Sequence, residues 1–383
     1  MSIKHDLYLT RKPLAGFIAI GVAWAVYFAH MPVIKANVGA SDGAYGVAVF
    51  FAALGAVGAM WLAPLAQRLV GGKALPVAIL VVAAGMFAAS FSSLLVILAL
   101  AMLVASIGSG VTDVLINARV SEIEARSGRT LMNLNHALYS FAYAGAALLA
   151  GVLREAQVDL RVIFAFLVVV LTGLAYAARD VSPNIEDGTD GTPAEMPHRL
   201  VIMAGLVVLV AFLAEASSEG WSALHLERTL GGTPGEGAMG PALLGLTMGV
   251  GRLSGHGLAR FMRDTTLMLV ATLVSTSGLL LAGLATNVPM ALAGFALGGL
   301  GISVVAPLAL AFVGRSVPDA SRLAAISRAS VLGYGAFFFG PPMMGVIAQG
   351  FGLRTAFVVI AILLAVTAIV LIPALARRAK VAL

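Results

Sequence analysis

The sequence predicts an all-α membrane protein with twelve transmembrane helices, arranged as two parallel six-helix bundles. Three observations predict this fold. Of the 383 residues, 60% are hydrophobic and only 11% are charged, far from the roughly 25% charged residues of a soluble domain. The apolar residues form twelve segments of about 20 residues, the length that a ~30 Å hydrocarbon layer requires. Finally, an internal repeat divides the chain near its midpoint.

The first apolar segment follows Lys4, Arg11 and Lys12 and lacks a small-residue cleavage site, so we expect a retained span and not a signal peptide. The expected spans, in chain order, cover residues 13–34, 43–65, 74–92, 94–118, 131–153, 160–178, 200–219, 238–259, 265–285, 288–313, 323–349 and 355–375.

The basic residues predict the orientation of these spans. With a cytoplasmic N-terminus, 17 of the 24 Lys and Arg residues fall on the cytoplasmic side. Two more, Arg252 and Arg328, lie inside expected spans. The remaining five lie on the outer side, and they are Lys35, Arg154, Arg161, Arg228 and Arg354. This bias predicts a multi-pass protein with both termini in the cytoplasm.

The segment between spans six and seven, DVSPNIEDGTDGTPAEMPH, contains five acids, three prolines and no aromatic residue. Such a composition buries too little apolar surface to fold, and we expect a flexible cytoplasmic linker. It separates an N-terminal bundle (1–179) from a C-terminal bundle (199–383), with the linker at 180–198. The pattern GVL…DLR at 151–161 recurs as GVI…GLR at 345–354, so the halves form a parallel repeat related by an axis along the membrane normal.

Small residues and prolines predict details of the packing. Three glycine pairs spaced four residues apart favour close helix contacts; they are Gly245 with Gly249, Gly251 with Gly255, and Gly294 with Gly298. Pro341 and Pro342 lie inside span eleven and remove two backbone donors, so we expect a bend or break there, either a static kink or a hinge.

Six plus six parallel spans joined by a cytoplasmic linker resemble the major facilitator superfamily. The loop LAPLAQRLVGGK keeps the basic residues and glycine of a family motif but has Gln67 at the acidic position, and GRLSGHGLARF repeats this pattern with Ala259 there. AEASSEGW, GYGAFFFGPP and FGLRTAF are similar to the YbjJ-type bacterial inner-membrane branch. The resemblance implies transport by alternating access, with spans one, four, seven and ten lining a central cavity.

Polar residues within spans are costly and usually functional. Asp113 and Asn117 lie four residues apart in span four and share one face; the resemblance implies that this face lines the cavity. Arg252 is the expected partner of Asp113 in an inner-side gate, with Arg328 as the competing cation. His136 and Tyr139 in span five are candidate members of this group. A structural ion pair at Asp113, and hydrogen bonds between helices at Asn117 and His136, fit the same pattern.

Glu215 and Glu219 follow fifteen uncharged residues in span seven. At 1.5 Å per residue, Glu215 lies roughly 24 Å from the cytoplasmic end and His30 roughly 25 Å along span one. We therefore predict that His30 and Glu215 pair when the protein faces inward, and that Glu215 exchanges a proton when the outer gate opens. A structural bond that never titrates is the alternative. Glu219 is expected to be a solvated helix-end acid.

Aromatic residues supply candidate substrate contacts. Trp24, Tyr27 and His30 lie at three-residue spacing along span one, and Tyr334 lies in span eleven. Such rings stack on sugars or heterocycles, although packing in the helix bundle gives the same pattern. Trp221 is expected in the outer aromatic belt.

Other functions lack the residues that they need. The sequence has no cysteine, no Walker loop and no metal-like histidine spacing, so we expect neither an enzyme, a catalytic or metal site nor an ATP-driven pump. Its basic residues are dispersed, which excludes a nucleic-acid surface. We predict a monomeric secondary transporter of the bacterial inner membrane, without cofactors, that moves a small organic solute with H⁺. Proton-driven efflux of amphipathic drugs and a lipid flippase are the alternatives.

Overall fold

The computed structural model of the chain describes residues 3–179, 197–258 and 261–382. These residues form a helical bundle whose elements, in chain order, are α1 (Ile3–Ala29), α2 (Met31–Asn37), α3 (Asp42–Val70), α4 (Ala74–Ser90), α5 (Leu95–Ser127), α6 (Met132–Glu155), α7 (Leu160–Ala177), α8 (His198–Leu224), α9 (Pro234–Leu258), α10 (Asp264–Leu284), α11 (Val288–Arg315), α12 (Asp319–Val366) and α13 (Ile372–Ala382). A π-helical turn extends α8 over His225–Thr229, and another joins α12 to α13.

Local sequence signals fix several helix ends. The side chains of Ser41, Asp159 and Asn287 accept hydrogen bonds from the backbone N–H groups that open α3, α7 and α11, which satisfies donors that lack an intrahelical partner. Gly128 ends α5 in the left-handed conformation, with φ at 67°, where glycine carries no Cβ penalty.

The predicted spans correspond to these helices, with two differences in how they are divided. Ten segments of the described residues are long and apolar enough to cross a membrane. The helix α9 falls outside that set, and spans eleven and twelve form one continuous run that changes direction at Gly352, where φ is 85°. The chain stays helical through Pro341 and Pro342, so the expected break there is absent, and the positive φ of Gly352 marks the boundary between predicted spans eleven and twelve.

Span seven is longer than predicted. Instead of ending near Glu219, α8 and its π turn continue to Thr229. Polar residues in EASSEGW indicate a helix end only if they face water outside the protein. Here Ser217, Ser218 and Ser222 are buried against other helices, so the helix continues.

The glycine pairs make the predicted helix contacts. A Cβ atom at Gly245 would lie 2.7 Å from Tyr143, and one at Gly294 would lie 2.5 Å from the backbone nitrogen of Ala282. Because any side chain there would collide with the neighbouring helix, these positions permit the close packing of α9 on α6 and of α11 on α10.

Two helix pairs join the halves of the chain. The N-terminal half packs α6 against α9 and α3 against α12 of the C-terminal half. We call the end of the bundle that holds the first and last described residues the terminal end, and the opposite end the distal end. The predicted linker falls mostly on residues 180–196, which lie outside the described part of the chain.

Candidate functional site

Arg252 on α9 lies at the centre of a polar network between the two halves. Its guanidinium donates to the Ser140 hydroxyl of α6 at 2.5 Å and lies 3.3 Å from the Glu215 carboxylate of α8. The Arg252 and Glu215 side chains keep 17% and 21% of their surface accessible, although both lie inside the bundle. A water-accessible space therefore lies beside them.

The network continues through the N-terminal half. The Ser140 hydroxyl donates to the carbonyl of His136, and His136 Nε2 lies 3.2 Å from the Asn117 side-chain oxygen. The Asn117 amide in turn donates to the Asp113 carboxylate at 2.9 Å. Hydrogen bonds thus connect Glu215 in one half to Asp113 in the other.

This arrangement corrects the predicted partner of Asp113. Arg252 bonds to Glu215 and Ser140, while Asp113 accepts from Asn117 on its own helix, so the expected inner gate pair is not formed. The sequence estimate placed the two residues by their depth along each helix. Depth leaves the direction of a side chain around the helix axis undetermined, and that direction decides which carboxylate the guanidinium meets.

Glu219 lies one turn beyond Glu215 on the same face of α8. The phenol groups of Tyr139 and Tyr143 interact electrostatically with both carboxylates. Among the described residues, no side chain or backbone group donates a hydrogen bond to the Glu219 carboxyl. Glu219 is thus an interior acid, and the prediction of a solvated helix-end acid is wrong because α8 continues past it.

Trp24 faces the same space from α1. Its ring stacks on Phe28 with centroids 5.4 Å apart, and its indole N–H donates to the Ser109 hydroxyl at 2.9 Å. Tyr139 and Tyr143 approach each other on α6, with centroids 6.2 Å apart. Both ring pairs belong to one apolar cluster.

Tyr27 and His30 do not share this face. The Tyr27 hydroxyl lies 2.9 Å from the Tyr45 hydroxyl, and His30 Nδ1 lies 2.8 Å from the carbonyl of Val26 on its own helix. His30 is 1% exposed and packs against Phe164. Each three-residue step turns the side chain by about 60° around an α-helix, so the predicted stripe spreads over a third of a turn. Consequently, the predicted pair of His30 with Glu215 is absent.

Two aromatic residues of the C-terminal half, Tyr334 and Trp221, differ in their surroundings. Tyr334 is half-buried, stacks on Phe212 with centroids 5.8 Å apart and interacts electrostatically with Asp113 across the gap between the halves. Trp221 is 2% exposed and packs edge-on against Tyr45. Trp221 was expected in the interfacial aromatic belt. This prediction is wrong, because α8 continues past Trp221 and the ring is buried against Tyr45 of α3.

Ion pairs close the distal end. Arg154 at the end of α6 is 4% exposed and donates to both carboxylate oxygens of Glu227 at 2.7 and 3.0 Å. It also donates to the backbone carbonyls of Ala29 and Pro234. One side chain thus connects α1 and α6 of the first half to the π turn and α9 of the second.

A second pair reinforces this closure. Arg228 donates to both oxygens of Asp42 at 2.8 and 2.6 Å, and Lys35 lies 2.9 Å from the same carboxylate. We call Arg154, Glu227, Arg228, Asp42 and Lys35 the distal latch. Sequence reasoning missed this role, although a signal was present. Lys35, Arg154 and Arg228 are three of the five basic residues on the predicted outer side, where few cations are expected.

The described residues contain no group of three or more His, Cys, Asp and Glu side chains placed to hold a metal ion. What the site offers is a space between two helical halves, closed at one end and containing three acids and one arginine. Such a space suits binding and release at alternate ends.

Comparisons with known proteins agree with this geometry. The Major Facilitator Superfamily model matches residues 204–382. An uncharacterized MFS-type transporter of Yersinia pestis is 30% identical over 358 residues, which cover 92% of this chain and 91% of that protein.

Two solved structures share the fold at 14% identity. One is a bacterial homologue of the human lysosomal transporter Spinster in an inward-facing, occupied conformation, with a TM-score of 0.76 and 98% of each chain covered. The other is a D-xylose–proton symporter, with a TM-score of 0.72 and 97% of each chain covered. The finer resemblance to the YbjJ-type branch stays a prediction. The full-length relative and the shared fold together establish that this chain belongs to the Major Facilitator Superfamily of membrane transporters.

Proposed function

We propose that this transporter moves a small organic solute in exchange for, or together with, protons. The observation that carries the proposal is the pair of interior acids, Glu215 and Glu219, beside a single cation. Four residues of helix separate them by about 6 Å, and of the two acids Arg252 bonds only to Glu215. A second unpaired negative charge in the bundle interior is unfavourable, so a proton is expected to reside on this pair.

Alternating access supplies the exchange. In the described conformation the distal latch is closed, so the acids communicate with the terminal end. Opening the latch and closing the terminal end exposes the same carboxyls to the other side of the membrane, where the proton is released or taken up. The fold shared with a D-xylose–proton symporter supports this coupling. We further propose a monomer in the bacterial inner membrane with both termini cytoplasmic, which makes the distal end the outer one.

The experiment uses purified protein in liposomes loaded with a pH-sensitive dye. A thermal-shift screen against sugars, nucleosides, organic acids, amines and drugs first selects a ligand. We expect a pH gradient to drive its accumulation. Glu215→Gln and Glu219→Gln should both abolish accumulation, and Glu215→Gln should still exchange substrate without a gradient, because exchange needs no net proton movement. The control is Glu122→Gln, since Glu122 pairs with Arg119 and Arg126 at a helix end.

Undiminished proton-driven accumulation by both glutamine variants would overturn the assignment of the proton to this pair. Accumulation driven by a sodium gradient, and not by a proton gradient, would make Na⁺ the coupling ion instead of H⁺. Movement of fluorescent phospholipid between leaflets, with no solute uptake, would favour the flippase alternative instead.

A further inference from the structure

Four aromatic side chains of the N-terminal half surround the space next to Glu219. Trp24 and Phe28 come from α1, and Tyr139 and Tyr143 come from α6. We call these four residues the aromatic cage. The Glu219 carboxyl interacts electrostatically with the phenol groups of Tyr139 and Tyr143.

Phe28 also lies close to the backbone of α8 at Gly220. A Cβ atom at Gly220, the residue after Glu219, would lie 3.8 Å from the edge of the Phe28 ring. The glycine thus lets the ring approach the helix. Together with the electrostatic interaction of Glu219 with the two phenol groups, this approach places the carboxyl beside the four rings.

The cage is ordered but not filled by its own contacts. The bond from the Trp24 indole to Ser109 fixes the orientation of the ring, while Trp24, Phe28 and Tyr139 each remain half-buried. Tyr143 is 1% exposed, yet its hydroxyl has no hydrogen-bond partner among the described residues. A buried hydroxyl without a partner is rare and indicates that a ligand or water supplies one.

The charges beside the cage select the type of ligand. Arg252 donates to Glu215 and Ser140, whereas Glu219 receives no hydrogen bond from the described residues. Aromatic faces carry negative potential and attract cations, and cages of such rings recognise ammonium groups. An uncommitted carboxyl among four aromatic rings therefore complements a positive charge with apolar substituents.

We propose that the aromatic cage and Glu219 bind an organic cation, either a protonated amine or a quaternary ammonium, as the transported substrate. This inference rests on the proposed function, because it gives the substrate class of the same transport site. The cation and the proton neutralise the same carboxyl, so Glu219 releases its proton when the cation binds and regains one when the cation leaves. The two ions are thereby exchanged across the membrane.

The binding test compares charged and neutral ligands of equal shape. Purified full-length protein at pH 8 is titrated with choline, with benzyltrimethylammonium and with 3,3-dimethyl-1-butanol, the neutral analogue of choline, by calorimetry. We expect at least one of the two ammonium ions to bind. If choline binds, it should bind at least about tenfold more tightly than the neutral alcohol. Glu219→Gln should weaken ammonium binding about tenfold or more, and Phe28→Leu about fivefold, since one ring face contributes on the order of 1 kcal/mol.

Matched controls separate this site from general effects. Glu122→Gln removes a carboxylate far from the cage, and Phe166→Leu removes a ring that is 57% exposed on the outside of the bundle; both should leave binding unchanged. Tyr139→Phe keeps the aromatic face and should retain the affinity within about twofold. If Glu219→Gln is unstable, Phe28→Leu still tests the cage.

The outcomes distinguish the two proposals. If ammonium ions bind and Glu219→Gln prevents it, the cage inference stands even where no pH gradient drives transport, and only proton coupling falls. If no ammonium in the panel binds, or if Phe28→Leu and Glu219→Gln both bind as the unsubstituted protein does, the cage inference is overturned. Proton-driven accumulation of a neutral sugar or nucleoside would likewise overturn it while leaving the proposed function in place.

Discussion

The distal latch and the central network both join the two halves, but they use charge in opposite ways. In the latch, Arg154 and Glu227 meet through two hydrogen bonds, and Arg228 and Lys35 both meet Asp42. In the central network, Arg252 bonds to the carboxylate of Glu215 alone, Asp113 accepts a hydrogen bond from Asn117, and no described residue donates to Glu219.

This difference in pairing suits two different tasks. Paired charges with additional hydrogen bonds hold a closed interface, and leaving one partner behind is strongly unfavourable. Carboxyls in excess over cations are free to accept a proton or a cationic ligand. The comparison therefore assigns closure to the latch and cargo binding to the centre, and substitutions in the two regions should have different effects.

Removing the central cation is expected to have the largest effect. Arg252→Met leaves Glu215 without its partner and breaks the bond to Ser140 across the halves. Removing one partner of a buried pair costs about 3–5 kcal/mol, and we expect the initial rate of transport in liposomes to fall at least about a hundredfold. The double variant Glu215→Gln with Arg252→Met should regain part of the thermal stability, because the Glu215 charge that lost its partner is then removed as well.

Arg161→Met is the control for Arg252. Arg161 lies over the Phe91 ring at the distal end, outside the network, so its removal should change the rate little. Retention of more than about a tenth of the rate by Arg252→Met would contradict the central role of this cation.

Within the latch, the two ion pairs are expected to differ. Arg154 is 4% exposed and Arg228 is 43% exposed, so water screens the second pair more strongly. Glu227→Gln should therefore raise the ratio of protein open at the distal end to protein closed there by about tenfold or more. Asp42→Asn should raise the same ratio by only about twofold to threefold.

The absence of cysteine from the sequence makes this shift measurable. Ala242→Cys introduces a single thiol on α9, where the residue is 1% exposed beside the cage. The rate of its reaction with a membrane-impermeant thiol reagent, added on the distal side, reports opening of the latch. A larger increase with Asp42→Asn than with Glu227→Gln would contradict the ranking by burial.

Sequence reasoning reached the fold because membrane thickness dictates segment length. The predicted spans correspond to the helices except that spans eleven and twelve fall in one continuous helical run, and the glycine spacing correctly indicated where helices touch. Asp113, Asn117, His136, Tyr139 and Arg252 were expected as one inner-side group, whereas Glu215 was expected with His30 on the outer side; the structure brings all of these except His30 together between the halves.

The pairings were harder to predict. Depth along a helix follows from residue counts, but which residue faces which depends on helix rotation and crossing, and these arise from packing across the whole bundle. Hence Arg252 was matched with Asp113, and His30 with Glu215. Glu219 was misassigned for another reason: Gly220 and Trp221 after it suggested a helix end at the membrane surface, yet α8 continues past them and Trp221 is buried.

The smallest effect is expected where neither region is touched, in the linker that the sequence predicts at 180–198. Its acids and prolines favour an extended, solvated chain. Deleting residues 183–192 should leave transport within about twofold of the full chain, because neither the latch nor the central network includes any of these residues. The eight residues left between Arg179 and His198, at 180–182 and 193–197, still reach roughly 26 Å when extended. A Gly/Ser replacement of equal length is the control for composition. If the deletion abolishes transport while the replacement preserves it, length is limiting; if both abolish folding, the segment is structured and the predicted division into two bundles joined by a flexible linker is wrong.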